Sequence, residues 1–260
     1  MSGNPGRLVL ITGTSKGIGR CAAIEFARRA DRVVAVARSR DALDALAREH
    51  ERIVPVVADV ADAESMKALG NHVLAEHGVP DVVVANAGIG LDALFTATTD
   101  DDLRRLFEVN VVGVFRTVRP FINGMVQRAS GRVLIVSSIV GKRGLPHYSG
   151  YSASKFALHG AADALRAELC GTGVTVGVLC PSSTTTDFQR NTIRSGTAQR
   201  RVRLVRRSPE SVAHTIISMA SSRRRERILG FESKLMTLGD VIAPGLIDWI
   251  LARTLTRKPD

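Results

Sequence analysis

The sequence is poor in cysteine and in aromatic residues, and it lacks a long apolar run. Three cysteines in 260 residues are too few for a disulfide-stapled scaffold and suit a reducing compartment, so we expect a cytoplasmic protein. No uninterrupted apolar segment reaches the roughly 18–20 residues of a membrane-spanning helix, and the first ten residues show no signal-peptide pattern. Aromatic residues make up only 4%, which argues against a base-stacking surface for nucleic acid.

Acidic residues are also scarce relative to basic ones. The chain has 36 Lys and Arg against 25 Asp and Glu, a net charge of +11. Residues 189–227 carry most of this excess, with two glutamates against eleven arginines: Arg190, Arg194, Arg200, Arg201, Arg203, Arg206, Arg207, Arg223, Arg224, Arg225 and Arg227. Such a segment attracts an anionic partner or forms a solvated surface.

Short apolar runs alternate with segments of helical periodicity. The runs, which predict strands, are 8–11, 33–36, 53–57, 82–84, 133–136 and 174–179, with 225–229 as a possible last strand. The helical segments include 41–50, 101–128 and 151–170. Near-continuous apolarity predicts strands buried on both faces, as in a parallel sheet of an α/β fold. Without repeats or a linker, we expect one domain over 1–260, built as a TIM barrel or an open doubly wound sheet.

The turn after the first strand favours the doubly wound sheet. It contains Gly13, Gly17 and Gly19 in the pattern Gly-x3-Gly-x-Gly, with Ser15, Lys16 and Ile18 between them, and a helix follows. Glycines permit a tight turn, and a helix N-terminus provides N–H groups and a positive dipole for a pyrophosphate.

Several motifs in order carry a resemblance to a known family. They are Thr12-Gly13-x3-Gly17-x-Gly19, Asp59-Val60, Asn86-Ala87-Gly88, Asn110, Ser138 and Tyr151-x3-Lys155. Over about residues 7–187 the chain resembles the short-chain dehydrogenase/reductase superfamily. Its apolar C-terminal tail, Gly144-Leu145-Pro146 and residues 151–158 resemble the hydroxysteroid-dehydrogenase-like branch. The resemblance implies a single-domain Rossmann fold with helices on both faces of a parallel sheet, a nicotinamide cofactor, proton transfer by a tyrosine, and a homodimer or homotetramer.

The end of the second strand predicts which nicotinamide cofactor binds. An acid at this place would accept hydrogen bonds from the ribose of NAD, but the chain has Arg38 there. Together with Lys16, Arg38 makes a cationic clamp for a 2′-phosphate, so we expect NADP(H). The resemblance implies that further residues contact the cofactor: Gly13, Ser15, Gly17, Ile18, Gly19, Asp59 at the adenine, Val60, Asn86, Ala87, Gly88, Tyr151, Lys155, Pro181 and Thr186. Ser182 replaces the glycine that often follows this proline in the family.

The predicted proton-transfer residues are Tyr151 and Lys155, which share one helix face because they are four residues apart. A neighbouring ammonium favours the phenolate and lowers a tyrosine pKa. The resemblance makes Tyr151 the acid–base, Ser138 the hydrogen-bond partner of the reacting oxygen, and Lys155 a ligand of the nicotinamide ribose. Asn110 is expected to anchor a water that links Lys155 to solvent, or to be a satisfied core amide. Strand alternation turns the adjacent Ser137 to the other face.

We expect no metal, because the six histidines show no ligand spacing with cysteines or carboxylates. Cys180 is expected to be a buried packing residue.

The C-terminal third is interpreted in two parts. Residues 188–230 are expected to form a lid over the substrate, which places the basic segment beside the mouth of the site. Residues 231–260 form an apolar extension that Pro244-Gly245 divides into two short helices. This extension packs on its own domain or on a second copy, or it makes peripheral contact with a membrane.

The sequence therefore predicts an NADP(H)-dependent oxidoreductase that interconverts a carbonyl and an alcohol on a lipophilic substrate, such as a steroid, a retinoid or a long-chain compound. Two alternatives remain open: a 3-oxoacyl-thioester reductase and a protein that senses a dinucleotide without turnover.

Overall fold

The computed structural model describes residues 6–184, 192–195 and 207–255. In chain order its strands are β1 (Leu8–Thr12), β2 (Arg32–Ala37), β3 (Ile53–Val57), β4 (Val82–Ala85), β5 (Gly90–Ala93), β6 (Gly131–Val136), β7 (Val174–Cys180), β8 (Thr192–Ser195) and β9 (Glu226–Ile228). Its helices are α1 (Gly17–Arg28), α2 (Arg40–Ala47), α3 (Ala63–Glu76), α4 (Asp100–Phe107), α5 (Gly113–Gln127), α6 (Ser149–Glu168), α7 (Pro209–Ala220), α8 (Phe231–Ile242) and α9 (Pro244–Leu255).

Seven strands form one parallel sheet in the order β3-β2-β1-β4-β6-β7-β9. The strand order reverses between β1 and β4, which is where open α/β sheets bind their ligands. The predicted doubly wound parallel sheet is confirmed, and β9 is its seventh strand. The described helices include none that is both long enough and apolar enough to span a bilayer.

Alternate residues of each central strand enter two separate cores. Val9 of β1 packs in the core that contains Phe26 of α1 and Ile216 of α7. Leu10, its neighbour, packs in the opposite core with Phe121 of α5 and Leu158 of α6. Burial on both faces explains why the central strands are apolar at most positions.

The predicted helix over 101–128 is interrupted. The structure has α4, then a π-helical turn at Glu108–Val112, then α5. This turn carries Asn110, whose amide bonds to the backbone of Ile89. A π-helical turn inserts one extra residue into the helix. The bonds from Asn110 to a backbone segment distant in sequence account for this insertion, and helical periodicity alone does not predict it.

Two short strands, β5 and β8, pair in parallel as a second sheet. Neither has the apolar run that predicts a strand, since β5 reads GLDA and β8 reads TIRS. The predicted lid, 188–230, lies partly outside the described residues, so its boundaries stay a prediction. The apolar extension forms α8 and α9 on either side of Ala243, which are the two predicted short helices.

The turn before β7 sets the position of that strand. Gly171 and Gly173 both have positive φ, 79° and 83°. A Cβ on Gly173 would lie 2.0 Å from the backbone oxygen of Ala129, whereas nothing lies within 4 Å of a Cβ on Gly171. The chain entering β7 therefore touches the turn that precedes β6, and only a glycine fits there.

This pair provides an internal control for a stability prediction. Gly171→Ala carries only the cost of a left-handed conformation, whereas Gly173→Ala adds a steric clash. We expect Gly173→Ala to lower the free energy of unfolding by about 1–3 kcal/mol more than Gly171→Ala, measured by urea denaturation at one protein concentration. Equal losses for the two variants would contradict the close contact.

Candidate active site

A cavity of about 350 Å³ opens where the strand order reverses. The sequence-predicted residues that line it come from both halves of the sheet: Gly13, Ser15, Lys16, Gly17, Ile18, Gly19, Arg38, Asp59, Val60, Asn86, Ala87, Gly88, Ser138, Tyr151, Lys155 and Pro181. Asn110 lies behind the wall of this cavity, and Thr186 lies outside the described residues. The structure therefore brings the predicted cofactor residues and the predicted catalytic residues into one cavity.

The glycine turn joins β1 to α1 with little space to spare. The Gly13 N–H donates to the carbonyl of Val36 at 2.8 Å, and a Cβ on Gly19 would lie 2.3 Å from the Gly13 oxygen. No side chain caps the first N–H groups of α1, and its first turn has no acid. These N–H groups and the helix dipole suit an anion at this end of the cavity.

Arg38 and Asp59 face each other at the ends of β2 and β3. The Arg38 Nη1 lies 3.7 Å from the Asp59 Oδ2, and the two side chains are 64% and 38% exposed. An exposed, long ion pair of this kind contributes about 0–1 kcal/mol, so a stronger anion displaces Asp59 from Arg38 at little cost. The pair was not foreseen, because its two residues come from different strands.

Ser138 and Tyr151 meet inside the cavity. Ser138 follows β6 and Tyr151 lies in the first turn of α6, and their side chains are hydrogen-bonded. The Ser138 Oγ also accepts from the Val140 N–H at 3.4 Å. Ser137 points elsewhere, donating to the backbone oxygen of Lys155 at 3.1 Å. The arrangement leaves one serine hydroxyl beside the phenol.

Lys155 is buried beside Tyr151 and is bonded to the sheet. Its Nζ donates to the Val136 carbonyl at 3.0 Å and lies 5.8 Å from the centre of the Tyr151 ring. Burial lowers the pKa of Lys155 to about 8.

The pKa of Tyr151 departs from the sequence prediction. We expected positive charge from Lys155 and from the oxidised nicotinamide ring to lower it. Among the residues of the chain, burial dominates and raises the pKa, while the hydrogen bond with Ser138 lowers it by less. The expectation left out desolvation, and the part that concerns the nicotinamide ring stays a prediction. Tyr151 is therefore a protonated phenol at neutral pH.

Asn110 is fully buried and makes three hydrogen bonds. Its Oδ1 accepts from the Ile89 N–H at 2.9 Å, and its Nδ2 donates to the Ile89 oxygen at 2.9 Å and to the Ser154 Oγ at 3.1 Å. An amide has two donors and two acceptor sites, so one acceptor site remains for a water. A Cβ on Gly88 would lie 3.1 Å from the Asn110 Oδ1 and 3.5 Å from the Lys155 Nζ. Asn110 thus holds the end of β4 against α6.

Part of the cavity lining was not identified from the sequence. Ile139, Val140, Leu145 and Tyr148 form an apolar wall beside Tyr151. Asp92 of β5 and Arg194 of β8, which are register partners, line another side. Leu145 and Tyr148 could have been identified as lining residues from their place in the loop between Ser138 and Tyr151. Asp92 and Arg194 could not, because β5 and β8 have no strand pattern in the sequence.

A polar cluster next to the site joins three elements. The Cys180 Sγ lies 3.7 Å from the His159 Nε2, and the His159 Nδ1 lies 3.5 Å from the Glu226 Oε2. These residues are close enough to hold a metal ion, and sequence spacing did not reveal them because they lie on α6, β7 and β9.

The members of this cluster bond to one another and to Lys142. Burial raises the pKa of Cys180 to about 12. Hydrogen bonds from His159 and Lys142 hold the pKa of Glu226 at about 2, and the Lys142 Nζ already lies 2.5 Å from its carboxylate.

Comparison with known proteins agrees with this geometry. The model of the short chain dehydrogenase family matches residues 7–196. The 3-oxoacyl-[acyl-carrier-protein] reductase FabG of Thermotoga maritima is 33% identical over 223 residues, which cover 83% of this chain and 91% of that protein. The probable oxidoreductase EphD of Mycobacterium tuberculosis is 35% identical over 235 residues, 84% of this chain. The match spans only 40% of the length of EphD.

Solved structures share the fold over most of the chain. A short-chain dehydrogenase from Streptomyces avermitilis superposes with a TM-score of 0.85 at 28% identity, covering 97% of this chain and 100% of that one. An alcohol dehydrogenase from Thermococcus sibiricus, complexed with 5-hydroxy-NADP, has a TM-score of 0.75 at 28% identity and covers 86% and 95% of the two chains. With its doubly wound sheet, its glycine turn and a family match over most of its length, the chain belongs to the short-chain dehydrogenase/reductase family.

Proposed function

We propose that this protein is an NADP(H)-dependent oxidoreductase that interconverts a carbonyl and an alcohol. The observation that carries the proposal is that Ser138, Tyr151 and Lys155 line the same cavity as the glycine turn. A hydride donor and a proton donor must act on the same substrate carbonyl, and this cavity has room for both. FabG is named a reductase, and the Thermococcus sibiricus enzyme holds an NADP derivative, which supports the same chemistry here.

The cavity residues fit a dinucleotide at one end. The N-terminus of α1, without a side-chain cap or a first-turn acid, would hold the pyrophosphate. Lys16 and Arg38 would hold the 2′-phosphate that distinguishes NADP from NAD, and Asp59 and Val60 would line the adenine end. When bound, the nicotinamide ring supplies or accepts the hydride.

Tyr151 acts as the proton donor in the reduction. Its raised pKa keeps the phenol protonated at neutral pH, so the donor form is present before reaction. Ser138, hydrogen-bonded to Tyr151, holds the carbonyl oxygen at the phenol. As the proton leaves, the Lys155 ammonium 5.8 Å from the ring stabilises the negative charge that develops on the phenol oxygen. Asn110 keeps Gly88 and Ile89 in place behind Lys155.

The apolar wall of Ile139, Val140, Leu145 and Tyr148 favours a lipophilic substrate. A steroid, a retinoid or a long-chain carbonyl compound would bury apolar surface there, in keeping with the hydroxysteroid-dehydrogenase-like motifs of the sequence. The second candidate is a 3-oxoacyl-thioester, which the similarity to FabG and the position of Arg194 on the cavity favour. Oxidation of NADPH with steroid, retinoid and acyl-thioester carbonyls compared side by side distinguishes the two.

The first test removes the phenol hydroxyl. Tyr151→Phe should lower kcat about 10²–10⁴-fold, the usual contribution of a general acid, while the dissociation constant of NADPH stays within about twofold. Tyr148→Phe is the matched control, since that ring lines the same cavity, and we expect a change of at most a few-fold. Full turnover in Tyr151→Phe would exclude Tyr151 as the proton donor, whereas wild-type protein that binds NADPH but reduces none of the carbonyl substrates would favour a dinucleotide sensor.

The second test concerns the choice between NADP and NAD. Lys16→Ala and Arg38→Ala should each raise the KM for NADPH about 10–150-fold, because a charge-assisted hydrogen bond contributes about 1.5–3 kcal/mol, and should leave the KM for NADH nearly unchanged. Arg40→Ala is the control, because Arg40 begins α2 and does not line the cavity. The proposed role of Lys16 and Arg38 is excluded if the ratio of KM for NADPH to KM for NADH is the same in wild type and in all three variants.

The third test uses the pKa of Lys155. Because this pKa is lowered to about 8, the ammonium that supports proton transfer is lost as the pH rises through 8. We therefore expect kcat/KM for NADPH-dependent reduction to be level from pH 6 to 7.5 and to fall toward tenfold per pH unit above about 8. In Lys155→Arg, the residual activity should lack this falling limb, since a guanidinium stays charged. A wild-type profile that is flat to pH 9.5 would refute the role of the ammonium.

A further inference from the structure

The two C-terminal helices turn apolar side chains toward solvent. Exposed residues on one side of α8 are Phe231, Lys234, Leu235, Leu238, Val241 and Ile242, and exposed residues on one side of α9 are Leu246, Trp249, Ile250 and Arg253. We call these ten residues the tail face. At about 100° per residue the six residues of α8 fall within about 120° of its circumference, and the four of α9 within about 100°. The amphipathic pattern is therefore reversed, with the apolar side outside.

The exposure of the tail face is large. Val241 is 79% exposed, Phe231 77% and Ile242 73%, and five further large apolar side chains are at least 40% exposed. Together these side chains leave on the order of 1,000 Å² of apolar surface, well above the few hundred Å² that a monomeric soluble protein usually exposes in one patch. A surface of this kind marks a contact with another body.

The charges on these helices are sorted by side. Asp240 and Asp248 both pair with Arg143, in the first case with 2.5 Å between the Arg143 Nη1 and the Asp240 Oδ1. In the described part of both helices, the tail face holds two cations and no acid, while the exposed acids Glu232 and Asp248 lie outside its two arcs. One of them, the Arg253 guanidinium, lies 4.2 Å from the centre of the Trp249 ring.

More positive charge leads into α8. Arg223, Arg224, Arg225 and Arg227 are exposed just before it, and the chain has a net charge of +11. The tail face is thus complementary to a surface that is apolar inside and anionic outside.

We propose that the tail face lies on the surface of an anionic lipid bilayer, with α8 and α9 parallel to the membrane plane. Long cationic side chains suit this place, because Lys234 and Arg253 can bury their stems and direct their charges to lipid phosphates. A tryptophan with an arginine over its ring is likewise suited to the headgroup level. A second copy of this chain fits less well, since its tail face would bring two more cations and no acid into an interface core.

The inner side of the same helices reaches the candidate active site. Met236 of α8 and Leu251 of α9 pack on the cluster of Ile139, Val140 and Leu145, together with Tyr148 and Tyr151. One layer of helices therefore separates the lipid surface from the apolar wall of the cavity. If the substrate is lipophilic, a point that rests on the proposed function, docking brings the cavity next to the phase in which this substrate dissolves.

The direct test is vesicle binding without cofactor or substrate. Trp249 is the single tryptophan of the chain, so its fluorescence reports on the tail face alone. We expect a blue shift of its emission and quenching by brominated acyl chains with vesicles of phosphatidylcholine and phosphatidylglycerol at about 70:30, and flotation of the protein with them. Binding should be weaker with pure phosphatidylcholine and should decrease with added salt.

Variants separate the apolar and the charged contributions. Leu238→Glu combined with Ile242→Glu should lower vesicle partitioning at least about tenfold, because two apolar side chains can then no longer be buried in lipid. The matched control is Val57→Glu with Leu74→Glu, two partly exposed apolar residues on β3 and α3, near the opposite edge of the sheet; its partitioning should equal wild type. Lys234→Gln with Arg253→Gln should remove the preference for anionic vesicles and leave some binding.

Three results would overturn the proposal. The first is wild-type protein that does not float with anionic vesicles, and the second is an equal loss of binding in the Val57/Leu74 control. The third is a dimer in analytical ultracentrifugation that Leu238→Glu with Ile242→Glu dissociates, with Trp249 emission already blue-shifted in buffer, which would make the tail face a protein interface. Turnover of a water-soluble ketone, assayed in the same variant, tests the proposed function separately, because docking does not enter that assay.

Discussion

A reciprocal pair of hydrogen bonds between α6 and the end of β6 underlies the candidate site. The Lys155 Nζ donates to the Val136 carbonyl at 3.0 Å, and the Ser137 Oγ donates back to the Lys155 carbonyl at 3.1 Å. A Cβ on Gly141 would lie 2.8 Å from the same Lys155 oxygen, so the loop after β6 closes tightly on the helix. This contact brings Ser138 against Tyr151, although they lie on different elements. Without it the phenol, the hydroxyl and the ammonium would not share one cavity.

Burial at this contact has opposite consequences for the two titratable groups. It raises the pKa of Tyr151 and lowers the pKa of Lys155 to about 8, because desolvation disfavours the charged form of each. The ammonium persists at neutral pH because burial lowers its pKa only to about 8. The chain thus holds a neutral acid and a charged group side by side, which are the two states that proton donation to a carbonyl requires.

The rest of the sheet brings the other lining residues to the cavity beside this contact. Parallel strands end at one edge of the sheet, so the glycine turn after β1, Asn86 after β4 and Ser138 after β6 meet there. Asn110 adds a tie from the other side, since its amide joins Ile89 to Ser154 across a π-helical turn. The C-terminal helices complete the apolar wall with their inner side, and their outer side is left for a second contact. The same pair of helices therefore lies between the surroundings of the protein and the apolar wall of its cavity.

Local patterns in the sequence were enough to predict the seven strands of the main sheet, the glycine turn after β1 and the position of Tyr151 and Lys155 on one helix face. These features depend on residues a few positions apart, where backbone periodicity decides which side chains lie together. Tertiary structure alone decided the Arg38–Asp59 pair, the His159–Cys180–Glu226 cluster and the π-helical turn at Asn110. Each of these joins residues that are distant in sequence, so it depends on how far apart the packed elements lie. The pKa of Tyr151 belongs with them, because desolvation depends on the whole surroundings of the phenol. The apolar content of α8 and α9 was visible in the sequence, but which side of each helix faces solvent depended on tertiary contacts, such as the pairing of the half-buried Asp240 with Arg143.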